Sequence, residues 1–236
     1  LPMPQEGDHP DTEKYLDYVR GQIRELCTNY GTIHGIFWDV NHLDYYDESF
    51  NWLVRDLQPN AVVNGRGFDS GDYNTPEREF NEGELQAQRR FVTPTEACQS
   101  VGMHSWGYKT DEDFYSAKFL MQSMDRIMAM GGNYLLNVGP TPEGELPENG
   151  LETVRKIADW LGRTKEAFYN TVPVSDAIKN RDIFATCRGN DLYIHFYKDP
   201  AGSSVELAPL EMVPDEAILL NDGRNLPIHR SQGTKL

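Results

Sequence analysis

The run Ile33-His34-Gly35-Ile36-Phe37-Trp38-Asp39 is apolar and aromatic until it ends in a carboxylate. Parallel α/β folds place their chemistry at the C-terminal ends of the strands, so Asp39 stands where it could act on a substrate. A strand-end aspartate can equally cap the next helix or bind a loop amide. Farther on, Gly65-Arg66-Gly67 sets an arginine between two glycines. That pattern lets the backbone pass close to a ligand and offers it a planar fork of N–H donors. The same loop continues through Gly71-Asp72-Tyr73-Asn74-Thr75-Pro76-Glu77, and Glu77 is a loop carboxylate. Its plain alternative is a solvated loop held by Asx turns. Two more groups follow, Thr95-Glu96 at the end of a third strand and Ser105-Trp106-Gly107-Tyr108 in a loop. The aromatic pair presents flat apolar area with polar tips, suited to the C–H face of a sugar or simply to covering a core edge.

These groups need a scaffold, and the sequence writes one. A helix is expected from Asp11 to Thr28, with Tyr15, Val19, Ile23 and Leu26 on one face and Gly31 beyond its end. A second is expected from Asp47 to Leu57, stopped by Pro59, and a strand over 61–64 follows it. A third strand is expected within 91–101. A helix from Asp111 to Met130 then opens on the box Thr110-x-x-Asp113 and closes at Gly131-Gly132. Asn133–Val138 reads as a fourth strand, and Leu151–Tyr169 as a long helix. The glycines and prolines from Gly131 to Gly144 read as punctuation of these elements. Alternation of helices and strands with short connections is the signature of parallel βα units. After Pro173 the texture changes: 182–197 reads as a hairpin around Arg188-Gly189-Asn190-Asp191, with short strands near Val205 and over 217–220.

Composition narrows the function classes. The net charge of −15 repels nucleic-acid backbones and anionic membrane surfaces and suits a neutral substrate. No apolar run of membrane-spanning length is present. Three cysteines at long spacings, Cys27, Cys98 and Cys187, give neither a fully paired disulfide framework nor a thiolate metal site, and read as packed thiols.

Taken in order, the motifs resemble the α-L-fucosidases of glycoside hydrolase family 29. The resemblance is carried by Phe37-Trp38-Asp39, by Gln58-Pro59 through Val63-Asn64-Gly65-Arg66, and by Gly71 to Glu77. Ser105 to Tyr108 and Gly131 to Pro140 complete it. It implies an α/β fold, a (β/α)8-like barrel of the TIM type of which about half is present, followed by an antiparallel β-sandwich. The corresponding division is residues 1–172 for the barrel part and 173–236 for the start of the sandwich. It further implies retaining hydrolysis of terminal α-L-fucosyl linkages on glycans, with no metal or other cofactor. Asp39 matches the family nucleophile, Arg66 an arginine that contacts fucose, and Trp106 an aromatic lining the pocket for the C6 methyl. Trp38, beside Asp39 in its motif, is expected to bind substrate as well.

Glu77 is the first choice for the acid/base and Glu96 the second. Thr95 stands before Glu96 where the family commonly has tryptophan. Asp39 would act ionised and Glu77 protonated in the first step. Family residues for the fucose hydroxyls come from barrel strands that this sequence does not contain, so the chain by itself is expected to be an incomplete, inactive barrel with exposed edges. The rival readings are a glycan-binding relative that has lost catalysis and a retaining glycosidase for another galactose-like sugar. The resemblance is compatible with a secreted, periplasmic or lysosomal setting, and leaves linkage and oligomeric state open.

Overall fold

The computed structural model describes residues 7–39, 45–78, 89–174, 178, 180, 182–208 and 214–229. It divides into two compact units, the first Leu1–Thr75 with Thr93–Thr95, the second Pro76–Val92 with Glu96–Leu236.

The first unit is built on two helices and a short parallel strand pair. Helix α1, Thr12–Asn29, starts where the Asp11 side chain accepts the Lys14 N–H, one of the orphan donors of a helix start. It buries Leu16, Val19, Ile23 and Cys27. Two of the four expected positions, Tyr15 and Leu26, are instead about half exposed. Both sets share Val19 and Ile23, and rotating the stripe by one residue keeps the tyrosine hydroxyl in water while burying the smaller Cys27. Strand β1, Gly35–Ile36, pairs in parallel with β2, Val62–Val63. Between them in sequence lies helix α2, Ser49–Leu57, which buries Phe50, Asn51 and Val54. The core joins these faces with Ala61, Val63 and Phe68. Gln58 ties the unit's far end together, donating to the carbonyls of Cys27 and Gly31 and accepting the Ile33 N–H.

The second unit repeats the βα pattern and then adds an antiparallel sheet. Strand β3, Glu96–Ser100, and strand β4, Asn133–Asn137, are in parallel register from Glu96↔Asn133 to Ser100↔Asn137. Helix α3, Ala117–Ala129, separates them in sequence, and helix α4, Glu148–Thr164, follows β4 and ends in a turn of 3-10 helix at Lys165–Ala167. Leu120, Met124 and Ile157 of the two helices pack with Val101, Tyr134, Leu136 and Val138. The expected start of α3 is corrected: Ser116, whose hydroxyl accepts the Phe119 N–H, is the N-cap. Residues 110–111 form a turn, after which Met103 N–H donates to the Asp113 carbonyl and Phe114 bridges Gly102. The Thr110 box is therefore a decoy, because its backbone is committed to the loop after β3.

Strands β5, Val172–Pro173, β6, Phe184–Arg188, and β7, Asp191–His195, form the three-stranded antiparallel sheet. The β6–β7 hairpin turns at Gly189-Asn190 as expected, with Gly189 at φ 59°. His195 lies buried between Asp125 of α3 and Thr186 of β6, each ring nitrogen 2.9 Å from its partner oxygen. A last short pair, β8, Ile218–Leu219, and β9, Arg224–Asn225, closes around Asp222-Gly223. Among the described residues near Val205 there is no strand; Leu207 forms an isolated antiparallel bridge with Ile178, and Val205 packs on the same cluster. Cys27 and Cys98 are buried thiols and Cys187 is half-buried, so the expectation of three packed thiols holds for two.

Candidate functional site

In the first unit the site is assembled where β1 and β2 end. The β1–β2 ladder is only two residues long because the next rung is made by a side chain. Asn64, fully buried just after β2, accepts the Trp38 N–H at 2.7 Å and donates its amide to the Trp38 carbonyl at 3.0 Å. It also donates to the Thr75 hydroxyl at 3.2 Å. An amide side chain carries both a donor and an acceptor, so it can replace a backbone partner. Trp38 is then fixed at its other end: the indole N–H donates to Asn51 at 2.9 Å, and Asn51 donates onward to Asp69. The ring meets Phe68 edge-on at 5.1 Å, and Phe68 stacks on Phe50 at 4.0 Å. Gly67 lies against the indole so closely that any Cβ there would collide with Cδ1 and Cγ of Trp38.

This frame holds Trp38 rigid and delivers the following residue, Asp39, to the rim. The Asp39 carboxylate pairs with Arg66 at 3.2 Å, with 77% of the aspartate side chain exposed and 23% of the arginine's. Arg66 also stands 5.8 Å over the Phe37 ring. A largely exposed pair of this kind contributes little to stability. Its value is positional: an exposed carboxylate with a cation beside it can meet an incoming ligand. The Arg66 loop is itself pinned by Asp72, which accepts the Val63 N–H at 2.8 Å and pairs with Arg55 at 2.8 Å. Burial pushes the Asp72 carboxyl up, but the bonds from Arg55 and Val63 outweigh it and hold it below the usual carboxylate range. Asp39, Arg66 and Trp38 are thus brought together.

In the second unit, Glu77 is exposed and forms a parallel bridge with Cys98 of β3. Cys98 N–H donates to the Pro76 carbonyl and Arg78 N–H to the Cys98 carbonyl, both at 2.8 Å, so Glu77 sits between two ladder bonds rather than on a free loop. Glu96 occupies the first position of β3, not its end as the sequence suggested. In a parallel pair that is the end opposite to the one that carries chemistry. Trp106 lies in the bend after β3, half-buried, with the Arg78 guanidinium 4.5 Å from its ring centre.

Two residues that the sequence reading passed over hold this bend. Arg78 donates to the carbonyls of Gly102 and Met103, at 3.2 and 2.8 Å. Its backbone is in the left-handed region at φ 50°, which costs a non-glycine residue about 1–2 kcal/mol. Glu112, with only 5% of its side chain exposed, accepts the His104 N–H at 2.6 Å. That backbone bond, outweighing partial desolvation and helped by Lys109 and His104, lowers the Glu112 carboxyl below its ordinary value. Gly139, after β4, backs against Gly107 with no room for a Cβ. A cavity of about 210 Å³ beside this bend is lined by Tyr108, Glu112, Phe114, Val138 and Asn149. The signal for Arg78 was present in the sequence, an arginine directly after the loop carboxylate; Glu112 was hidden inside the false capping box.

Among the described residues no cluster of three His, Cys, Asp or Glu side chains is placed to hold a metal ion, and no helix is long and apolar enough to cross a membrane.

Comparison with known proteins supplies the context for this geometry. The family model for α-L-fucosidase matches residues 2–166. The chain belongs to the α-L-fucosidase family. The α-L-fucosidase of Dictyostelium discoideum is 29% identical over 184 residues, covering 71% of this chain and 38% of that protein. Human tissue α-L-fucosidase is 28% identical over 179 residues, covering 70% of this chain and 37% of that protein. The chain therefore spans under two-fifths of the length of these two fucosidases. Among solved structures, α-L-fucosidase isoenzyme 1 from Paenibacillus thiaminolyticus superimposes with a TM-score of 0.76 at 29% identity, over 96% of this chain and 57% of that one.

Proposed function

We propose that the intact protein is a retaining exo-α-L-fucosidase that releases terminal α-L-fucose from glycans through a covalent fucosyl-enzyme. Family membership supports the substrate class, and one observation carries the assignment of the nucleophile. Asp39 lies just past the end of β1, exposed, with Arg66 at 3.2 Å and a rigid Trp38 behind it.

In this reading the Asp39 carboxylate attacks the anomeric carbon as the bond to the leaving oxygen breaks. Glu77 gives its proton to that oxygen. Water then attacks the same carbon, Glu77 takes the water's proton, and the Asp39 ester bond breaks to release fucose with its configuration retained. Arg66 holds Asp39 in place and contacts the sugar, while Trp38 and Trp106 supply apolar walls, Trp106 for the C6 methyl. Glu96, the second choice by sequence, begins β3 and so stands at the strand end away from the chemistry, which favours Glu77. The fold we propose for the intact protein is a (β/α)8-like barrel, to which residues 1–172 contribute a part, followed by a β-sandwich beginning at 173.

The test is hydrolysis of an aryl α-L-fucoside beside an aryl β-D-galactoside, by the intact protein and its Asp39→Ala variant. The fucoside alone should turn over, the variant should be inactive, and azide should restore product formation as the β-azide. Fucose binding without hydrolysis would favour a glycan-binding relative; preference for the galactoside would favour a different glycosidase.

A further inference from the structure

We infer that Arg78 is the positioning residue that fixes Glu77 for proton transfer, using the Trp106 bend as its anchor. This rests on the reading of Glu77 as the acid/base.

Four observations within the second unit converge on Arg78. Its N–H closes the last ladder bond to Cys98, at 2.8 Å, directly after Glu77. Its φ of 50° ends the strand there, in a conformation that L side chains avoid. Its guanidinium bonds the carbonyls of Gly102 and Met103. The same guanidinium stacks over Trp106 at 4.5 Å. A left-handed non-glycine residue persists only where its surroundings over-determine it. Here the guanidinium does so: one terminal nitrogen, Nη1, bonds both carbonyls while the planar group lies over the indole, and a lysine's compact ammonium lacks that flat face. Strain at Arg78 is thereby held by the loop that carries Trp106, and Glu77 is fixed between the two ladder bonds. Small displacements of a catalytic group are costly, on the order of 10²-fold for about 1 Å.

A proton donor matters most when the leaving group is poor, so leaving-group dependence separates positioning of the acid from general damage. We would measure kcat/KM of the intact protein for phenyl α-L-fucoside and for 2,4-dinitrophenyl α-L-fucoside, whose leaving oxygen needs no proton. Glu77→Ala should lower the phenyl value by roughly 10²–10⁴-fold and leave the dinitrophenyl value nearly unchanged. Arg78→Gly is the informative variant because glycine accepts the positive φ without strain, so the fold is kept while the guanidinium is lost. It should lower the phenyl value by about 10²-fold with little effect on the dinitrophenyl value. Added guanidinium ion should recover part of the loss, and Arg78→Lys should remain impaired. Equal losses on both substrates for Glu77→Ala would remove the acid/base reading and this inference with it. Discrimination by Glu77→Ala but none by a folded Arg78→Gly would overturn the role of Arg78 alone, as would full activity in Arg78→Lys.

Discussion

The two candidate regions are held in place by different chemistry. Around Asp39 the groups that hold Trp38 itself are neutral amides: Asn64 replaces a strand on its backbone, and Asn51 takes its indole. Around Trp106 they are charged: the Arg78 guanidinium on two carbonyls and the Glu112 carboxylate on the His104 N–H. Neutral bonds are insensitive to pH, and losing one partner exposes the desolvation cost of the other. The Glu112 bond depends on protonation, whereas the Arg78 guanidinium stays charged. The Trp38 clamp should therefore fail through mutation, and the Glu112 bond in the Trp106 bend through acid.

The largest effect should come from Asn64→Ala. It leaves the Trp38 N–H and C=O without partners in a part-buried site, toward the low end of the ~1–3 kcal/mol for each unsatisfied group, so a stability loss of about 2–4 kcal/mol is expected in urea unfolding. A loss below the ordinary scatter of surface mutations would mean that the amide clamp is not what fixes Trp38. Next is Gly67→Ala, whose methyl would meet the Trp38 ring. Overpacking of this kind costs roughly 1–3 kcal/mol, and in the same unfolding experiment the variant should also show altered indole fluorescence.

The smallest effect sharpens the contrast. A carboxyl whose folded value is lowered contributes stability above its unfolded value and loses it as pH falls through the folded one. The Glu112 clamp should thus release below the usual carboxylate range, seen as faster exchange of the His104 amide. Glu112→Gln should exchange faster at neutral pH and show no such acid step, while the Trp38 amide should have no step in either protein.

Much of this was readable in advance, and the failures have local causes. The extents of α1, α2 and β4 and the β6–β7 turn follow from periodicity and turn residues that act over a few positions. The rotated face of α1 shows the limit of periodicity, since two stripes sharing Val19 and Ile23 fit it equally. The start of α3 was misplaced because a capping box at Thr110 competes with the true cap at Ser116, and tertiary bonds to Val101 and Met103 decide between them. Strand β1 proved two residues long because a side chain 26 positions away from Trp38 takes over the ladder. That pairing leaves no periodic trace. Asp39 and Arg66 were legible as a strand-end carboxylate and a glycine-flanked arginine; their pairing, and the parts played by Asn64, Arg78 and Glu112, depend on contacts between distant residues.

The most direct test of the central claim is covalent. The intact protein would be incubated with 2-deoxy-2-fluoro-α-L-fucosyl fluoride, digested, and its peptides sequenced by mass spectrometry. A single 2-fluorofucosyl ester on Asp39, absent from Asp39→Ala, is the expected result. An ester on any other carboxylate, or labelling of the Asp39→Ala variant at the parent's rate, would overturn the assignment.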